Sequence, residues 1–132
     1  MKLCFTILAL TILVLSCQKN NNDTTSHSLS GHYSGIFHRT GMDTAGVTLN
    51  FDGNTFNGQS NHLKYPAICH GSFELNSNTV NFIDSCQWTA DFDWSLILNG
   101  NFNIDFKNDG SIRIWKTNGS ITDEYSLIRL VR

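Results

Sequence analysis

Charged residues are scarce in this sequence, and their arrangement excludes several classes of protein. Lysine and arginine together number 9 among 132 residues, and they are scattered along the chain. A nucleic-acid-binding protein carries its basic residues in clusters, so we expect no nucleic-acid partner. Glutamate occurs only at positions 74 and 124, and no Ser-His-Asp or Cys-His arrangement is recognisable. Without an acid pair or an activated nucleophile, the sequence predicts a protein that is not an enzyme and uses no cofactor.

Proline and helical periodicity are nearly absent as well. Pro66 is the only proline, and no apolar run with helical spacing follows residue 30. From Gly31 onward, apolar residues instead alternate with polar ones at a period of two. Gly, Asn and Asp, which suit tight turns, recur at short intervals. This pattern is typical of an all-β sandwich or barrel.

The longest apolar run lies at the N-terminus. Lys2 is followed by apolar residues from Leu3 to Leu15, interrupted only by two threonines. A charged start, an apolar run of roughly 7–15 residues and a small residue at its exit make a secretory signal peptide. The run is shorter than the roughly 20 apolar residues of a transmembrane helix.

The segment Val14-Leu15-Ser16-Cys17 resembles the lipobox of bacterial lipoproteins. The resemblance implies that residues 1–16 are removed as the signal peptide. It also implies that Cys17 is lipidated, with palmitate among the attached acyl groups. Two or more acyl chains hold a soluble domain stably to a membrane. The following "QKNNND" partly resembles the surface-export signal of Bacteroidota lipoproteins. The implied location is the cell envelope, as an outer-membrane lipoprotein on the periplasmic face or the cell surface. An ordinary signal peptide cleaved near a cysteine is the alternative.

The remaining chain divides into a tether and one domain. Residues 17–30 are mostly polar and predict a flexible tether, and residues 31–132 predict a single β-barrel domain. Cys69 and Cys86 form an even pair in an oxidising compartment, so we expect a disulfide. A metal site of both cysteines with His70 is the competing hypothesis. These residues lack the spacing of a structural zinc site, so we expect no metal.

One hairpin register explains several pairs at once. A two-residue loop at Ser77-Asn78 sets Leu75 against Val80, Phe73 against Phe82 and Gly71 against Asp84. The same register sets Cys69 against Cys86 on the same face of the hairpin, because side chains alternate along a strand. The cysteines then fall at a non-hydrogen-bonded site, where Cα atoms lie roughly 4.5 Å apart, within reach of a disulfide.

Further hairpins follow from the same matching. A three-residue loop at 99–101 predicts that Leu98, Leu96 and Trp94 pair with Phe102, Ile104 and Phe106. A three-residue loop at 108–110 pairs Phe106 with Ile112 and Ile104 with Ile114, and Gly110 supplies the left-handed residue. A two-residue turn at Asn118-Gly119 sets Ile112 against Tyr125. The earlier strands are expected at 31–39, 45–51 and 54–60.

The hairpins together predict eight or nine strands that pair mostly with their neighbours. The expected fold is an antiparallel up-and-down β-barrel of about eight strands. The first strand, "GHYSG", resembles the Gly-x-Trp strand of the lipocalin and avidin barrels, with Tyr33 in place of tryptophan. The last strand, "YSLIRL", is similar to theirs, in which an arginine, here Arg129, packs across the first-strand aromatic. The resemblance implies an open-ended barrel and a small apolar or amphipathic ligand.

The segment "CQWTADFDW" (86–94) carries the candidate binding residues. Trp88, Asp91 and Asp93 lie in a connection between strands, where exposed aromatic side chains point to function. Indole faces and carboxylates are what a sugar-binding site uses. In the alternative interpretation, Trp94 belongs to the core and Trp88 caps the barrel. Asp84, on an inward face, either orients a ligand or pairs with Arg129 or Lys116.

Two functional hypotheses remain open. The first is a lipid-anchored envelope protein that binds a small apolar or amphipathic ligand inside a lipocalin-like barrel. The alternative is a filled barrel that acts through its loops, as a protein-interaction module, a hydrolase inhibitor or a glycan binder. The barrel interior discriminates between them. Six large residues are able to fill it completely, which would favour the alternative: Phe73, Phe82, Trp94, Phe102, Phe106 and Tyr125. A continuous cavity above roughly 300 Å³ would favour a ligand instead.

Overall fold

A closed eight-stranded barrel forms the body of the protein. The computed structural model describes residues 27–89 and 91–131, so the predicted signal peptide and Cys17 lie outside it. Each strand pairs antiparallel with the next, and the last returns to the first, as predicted. The strands are β1 (Gly31–Arg39), β2 (Thr44–Asp52), β3 (Thr55–Ser60), β4 (His70–Leu75), β5 (Thr79–Asp84), β6 (Gly100–Phe106), β7 (Ser111–Asn118) and β8 (Ile121–Arg129). Among the described residues, no helix has the length and apolarity needed to cross a membrane.

The up-and-down topology separates the connections into two ends. The turn end carries the short connections 53–54, 76–78 and 107–110. The loop end carries the connections 40–43 and 119–120 and two long segments, 61–69 and 85–99. A single 3-10 turn, Trp94–Leu96, lies in the second long segment. Within residues 27–89 and 91–131, the loop end therefore holds most of the residues that lie outside the strands.

The barrel interior is filled by side chains. A row of aromatic contacts runs from Phe73 through Phe82, Phe102 and Tyr125 to Phe37, with ring centroids 4.9 to 6.4 Å apart. These five side chains are buried, and Phe73, Phe82, Phe102 and Tyr125 are four of the six candidates for filling the interior. Phe106 is only partly buried and packs against this core. The filled interior favours the alternative in which the barrel is a scaffold.

The predicted register of the β4–β5 hairpin is confirmed. Leu75 pairs with Val80, Phe73 with Phe82 and Gly71 with Asp84. Cys69 and Cys86 form the expected disulfide. Their Cα atoms lie 6.3 Å apart, farther than expected, because the ladder ends at Gly71 before it reaches the cysteines. The bridge therefore links the two long segments of the loop end.

The predicted hairpin around residues 99–101 is wrong. β6 begins at Gly100 and pairs with β5, so that Phe102 lies opposite Val80 instead of Leu98. Residues 94–96 form a 3-10 turn, and Trp94 is 54% exposed and does not pack on Phe106 as predicted. The physical reason is barrel closure: the free edge of β5 takes β6 as its partner, which leaves 85–99 to cross the barrel end.

The last two hairpins are close to their predictions. Phe106 pairs with Ile112 and Ile104 with Ile114, and Gly110 has φ +83°, as expected. The β7–β8 turn lies one residue later than predicted, at 119–120, with Asn118 opposite Ile121. Ile112 consequently faces Leu127 instead of Tyr125, a shift of two positions that keeps every side chain on its predicted face.

The β1–β8 seam closes the barrel through a close approach of backbones. A Cβ at Gly35 would lie 1.9 Å from the Ser126 carbonyl oxygen, so only glycine fits there. Arg129 pairs with Tyr33 across the seam, and its guanidinium lies over Gly31. Leu29, in the last part of the predicted tether, is buried and belongs to the hydrophobic core.

Candidate functional site

A buried arginine organises the loop end. Arg39 continues the inward face of β1 beyond Tyr33 and Phe37, and Asp123 occupies the corresponding inward position of β8. The Arg39 guanidinium donates to Asp123 through Nε at 2.5 Å and Nη2 at 2.8 Å. Both residues are at least nine-tenths buried. The bidentate geometry leaves the second edge of the guanidinium for another partner.

That partner is the segment 85–99. Arg39 Nη1 donates to Asp93 Oδ2 at 2.8 Å and to Ser95 Oγ at 3.0 Å, and Nη2 donates to the Ser95 carbonyl at 3.1 Å. Asp93 Oδ1 accepts from the Ser95 N–H at 2.9 Å and thereby caps the 3-10 turn. The hydrogen bonds from Ser95 and the Arg39 charge hold the pKa of Asp93 below its ordinary value. Asp93 is thus engaged in holding the loop.

The two long segments of the loop end also bind each other. The Ala67 N–H donates to the Leu96 carbonyl, and the Leu98 N–H donates to the Ala67 carbonyl, each at 3.0 Å. Leu96 and Leu98 are buried and close the barrel end. Together with the disulfide, this bridge fixes the position of the segment that carries the candidate residues.

A third tether lies at the surface. Lys64 Nζ donates to Asp91 Oδ1 at 2.7 Å and to Thr89 Oγ1 at 2.8 Å, and the Thr89 hydroxyl donates to the same carboxylate oxygen. The hydrogen bonds from Lys64 and then Thr89 lower the pKa of Asp91 to about 2. Asp91, like Asp93, therefore already has partners within the protein.

Three aromatic side chains form a row on this segment. Phe92 lies between the two indoles, with centroid distances of 5.6 Å to Trp88 and 6.3 Å to Trp94. Phe92 and Trp94 are nearly parallel, with an interplanar angle of 25°, and Lys64 Nζ lies 4.9 Å from the Phe92 centroid. Trp94 is more than half exposed. The row therefore presents an indole face to solvent on a fixed support.

Asp84 fixes the other indole. Its Oδ2 accepts from Trp88 Nε1 at 2.7 Å and from the Cys86 N–H at 3.3 Å. The side chain of Asn99 accepts from the Asp84 N–H at 3.0 Å. The predicted partners Arg129 and Lys116 are not the ones observed. The hydrogen bond from the Trp88 indole explains why a carboxylate is tolerated at this position.

Two grooves meet at the loop end. The indole groove, of about 340 Å³, is lined by both tryptophans and by polar side chains, including those of Asp84, Ser95, Asn99 and Lys116. The mouth groove, of about 310 Å³, is lined by residues including Arg39, Ser95, Asn101, Lys116, Thr117, Asn118 and Asp123. Ser95 and Lys116 line both, so the grooves are neighbours that share a wall.

The structure brings together only part of the predicted site. Asp84 and Trp88 contact each other and line the indole groove, whereas Asp91 and Asp93 bind separate cations that tether the segment. Lys116 and Arg39 were missed as site residues. The signal for both was available, because each continues the inward period-two face of its strand beyond the last apolar residue.

A larger groove lies elsewhere. It measures about 570 Å³ on the outer face of β1–β3, where its lining includes His32, Thr48, Asn50, Asn57 and Gln59. His32 and His38 are exposed, as expected from their alternation with the core residues of β1. No exposed aromatic face and no ion pair lies among these lining residues, so we place the candidate site in the smaller indole groove.

Two of the three residues in the hypothetical metal site, Cys69 and Cys86, are joined by the disulfide. The three potential ligand atoms lie within 4.8 Å of one another, and His70 Nδ1 is 3.4 Å from Cys86 Sγ. The bond between the two sulfurs removes the thiolates that a zinc or copper ion would bind. The cluster therefore serves as a cross-link of the loop end.

No protein-family model, no curated protein and no solved structure matches this chain.

Proposed function

We propose that this chain is a lipid-anchored binding protein of the cell envelope that recognises a glycan in the indole groove. The barrel acts as the scaffold, and the segment 85–99 presents the binding face. The anchoring part of the proposal rests on the resemblance of residues 14–17 to a lipobox. The proposal assigns no catalytic step to the protein.

The exposed Trp94 beside a polar groove is the observation that carries the proposal. An indole face packs against the C–H groups of a sugar ring, while carboxylate and amide oxygens accept hydroxyl protons. Trp94 offers the face, and Asp84 and Asn99 line the same groove. Phe92 stacks on the Trp94 indole and supports it, so Trp94 loses little side-chain entropy when a ligand stacks on the indole.

The alternative of an apolar ligand inside the barrel is less well supported. Such a ligand needs an apolar cavity, usually of roughly 300–1,000 Å³. The ring contacts from Phe73 to Phe37 occupy the interior where the ligand would lie. The polar lining of the indole groove fits a hydroxyl-rich ligand better than a lipid chain.

The proposal is tested with the purified protein on an array of oligosaccharides and, for any glycan bound, by isothermal titration calorimetry. Trp94→Ala is expected to weaken binding at least tenfold, which is about 1.4 kcal/mol. The thermal unfolding midpoint should change little, because more than half of the Trp94 side chain is already in water.

Trp115→Ala is the matched control. Trp115 lies on β7 with the Arg113 guanidinium 4.3 Å from its ring, and it lines neither groove. This variant should bind the glycan as the wild type does. Equal affinity of Trp94→Ala and wild type, or the capture of proteins and no glycan by the wild type, would contradict the proposal.

A further inference from the structure

Among the described residues, Lys116 has a single carboxylate within ion-pair distance, that of Asp123 at 4.0 Å. It lies at an inward position of β7, two residues beyond the buried Ile114, with Nζ 4.6 Å from the Phe102 centroid. An ammonium group has three donors. Its hydrogen-bond partner is the Ser95 carbonyl, at the long distance of 3.5 Å.

The nearest carboxylate is already occupied. Asp123 Oδ2 lies 4.0 Å from Lys116 Nζ, but both Asp123 oxygens accept shorter hydrogen bonds from Arg39. Asp93, the next acid of the network, is likewise bound by Arg39 and Ser95. Burial lowers the pKa of Lys116, and the charge of Asp123 only partly opposes this effect. Lys116 therefore retains donors that a ligand can take.

The position of Lys116 makes these donors accessible. It lies in the wall shared by the indole groove and the mouth groove, and its side chain is 29% exposed. On one side is the exposed indole of Trp94, and on the other are the neutral donors and acceptors of Asn101, Thr117 and Asn118. The acid facing the indole groove, Asp84, is already hydrogen-bonded to Trp88.

We infer that the glycan recognised here is acidic, with a sugar ring stacked on Trp94 and an anionic group bound to Lys116. The inference rests on the proposed function and specifies its ligand class. A carboxylate, as in a uronic acid, and a sulfate ester share the chemistry that would satisfy the ammonium group. A neutral glycan could accept hydrogen bonds from the ammonium group but would bring no negative charge to it.

The experiment compares each acidic glycan with its neutralised form. Uronic-acid oligosaccharides are presented beside the same chains with the carboxylate converted to an amide, and sulfated oligosaccharides beside their desulfated forms. Wild type is expected to bind at least one acidic member tenfold or more tightly than its neutral partner, and this preference should weaken as salt is raised. The carboxylate and sulfate arms identify the source of the anion.

Single-residue variants test whether Lys116 causes the preference for the acidic glycan. Lys116→Gln should abolish the preference for the acidic member without weakening the neutral one, and Lys116→Arg should retain it. Lys64→Gln removes a cation that already binds Asp91 and should leave the preference intact. Thermal unfolding of each variant verifies that the barrel is formed.

The possible failures are distinguishable. Glycans that bind equally well in acidic and neutral form, or a preference that survives Lys116→Gln, would overturn this inference and leave the proposed function standing. Binding of no glycan on either arm would overturn both.

Discussion

The two ends of the barrel are built in opposite ways. At the turn end, short connections return the chain directly into the next strand, and glycines such as Gly53 and Gly110 supply the positive φ that such turns need. At the loop end, the segments 61–69 and 85–99 lack a strand ladder of their own. They are held instead by a disulfide, by Arg39 and by the Lys64–Asp91 pair. The loop end, where the candidate site lies, is therefore held by individual contacts between residues distant in sequence.

Arg39 is the tether whose loss should have the largest effect. Arg39→Met leaves the Asp123 carboxylate buried without its partner, which typically costs about 3–5 kcal/mol. It also releases Asp93 and Ser95. We expect the free energy of unfolding, measured by urea titration, to fall by that amount and the m-value to stay unchanged.

Two controls separate this effect from the loss of any arginine. The double variant Arg39→Met/Asp123→Leu removes both charges and should recover part of the lost stability. Arg113→Met breaks an ion pair with Glu124 that is partly exposed, and it should cost less than about 1 kcal/mol. Similar losses for Arg39→Met and Arg113→Met would show that Arg39 does not hold the loop end.

The disulfide should have the next largest effect on the free energy of unfolding, and its effect on hydrogen exchange in the folded protein should be local. Cys69 and Cys86 are 17 residues apart in sequence. Closing a loop of this size stabilises the folded state by about 3 kcal/mol on the chain-entropy model. In Cys69→Ser/Cys86→Ser we expect that loss in urea unfolding. Hydrogen exchange should accelerate in 61–69 and 85–99 and remain unchanged in 107–110 at the turn end. Uniform acceleration at both ends would contradict a local tether.

The same contrast explains what could be predicted from the sequence. The β4–β5 register followed from local information, since one turn and three matched pairs fixed it. The segment 85–99 could not be predicted in this way, because Trp94, Leu96 and Leu98 alternate as a strand would. Their conformation is decided by contacts distant in sequence, with Ala67 and Arg39. Local alternation cannot distinguish a strand from a loop that is anchored at every second residue.

The buried Arg39–Asp123 ion pair could have been predicted from the sequence, but its role in holding the segment 85–99 could not. Arg39 follows Tyr33 and Phe37 at even spacing, and Asp123 precedes Tyr125 and Leu127 in the same way. A charge on the inward face of two neighbouring strands predicts a pair. That this pair also holds Asp93 and Ser95 depends on where the 3-10 turn lies, which only the assembled barrel defines.

The Lys64–Asp91 pair should have the smallest effect on stability, and it can be followed through the pKa of Asp91. Hydrogen bonds from Lys64 and Thr89 lower the pKa of Asp91 from 3.8 to about 2 in the folded protein. A lowered pKa means that the ionised carboxylate favours the folded loop above about pH 3.8 and that this contribution is lost as the pH falls through about 2. Carbon-13 NMR of the Asp91 carboxyl should therefore show a midpoint near 2. In Lys64→Met the midpoint should return toward 3.8, because the main hydrogen-bond donor is gone. A wild-type midpoint already at 3.8 would mean that this tether does not form, and that Arg39, the disulfide and the Ala67 hydrogen bonds hold the loop end without it.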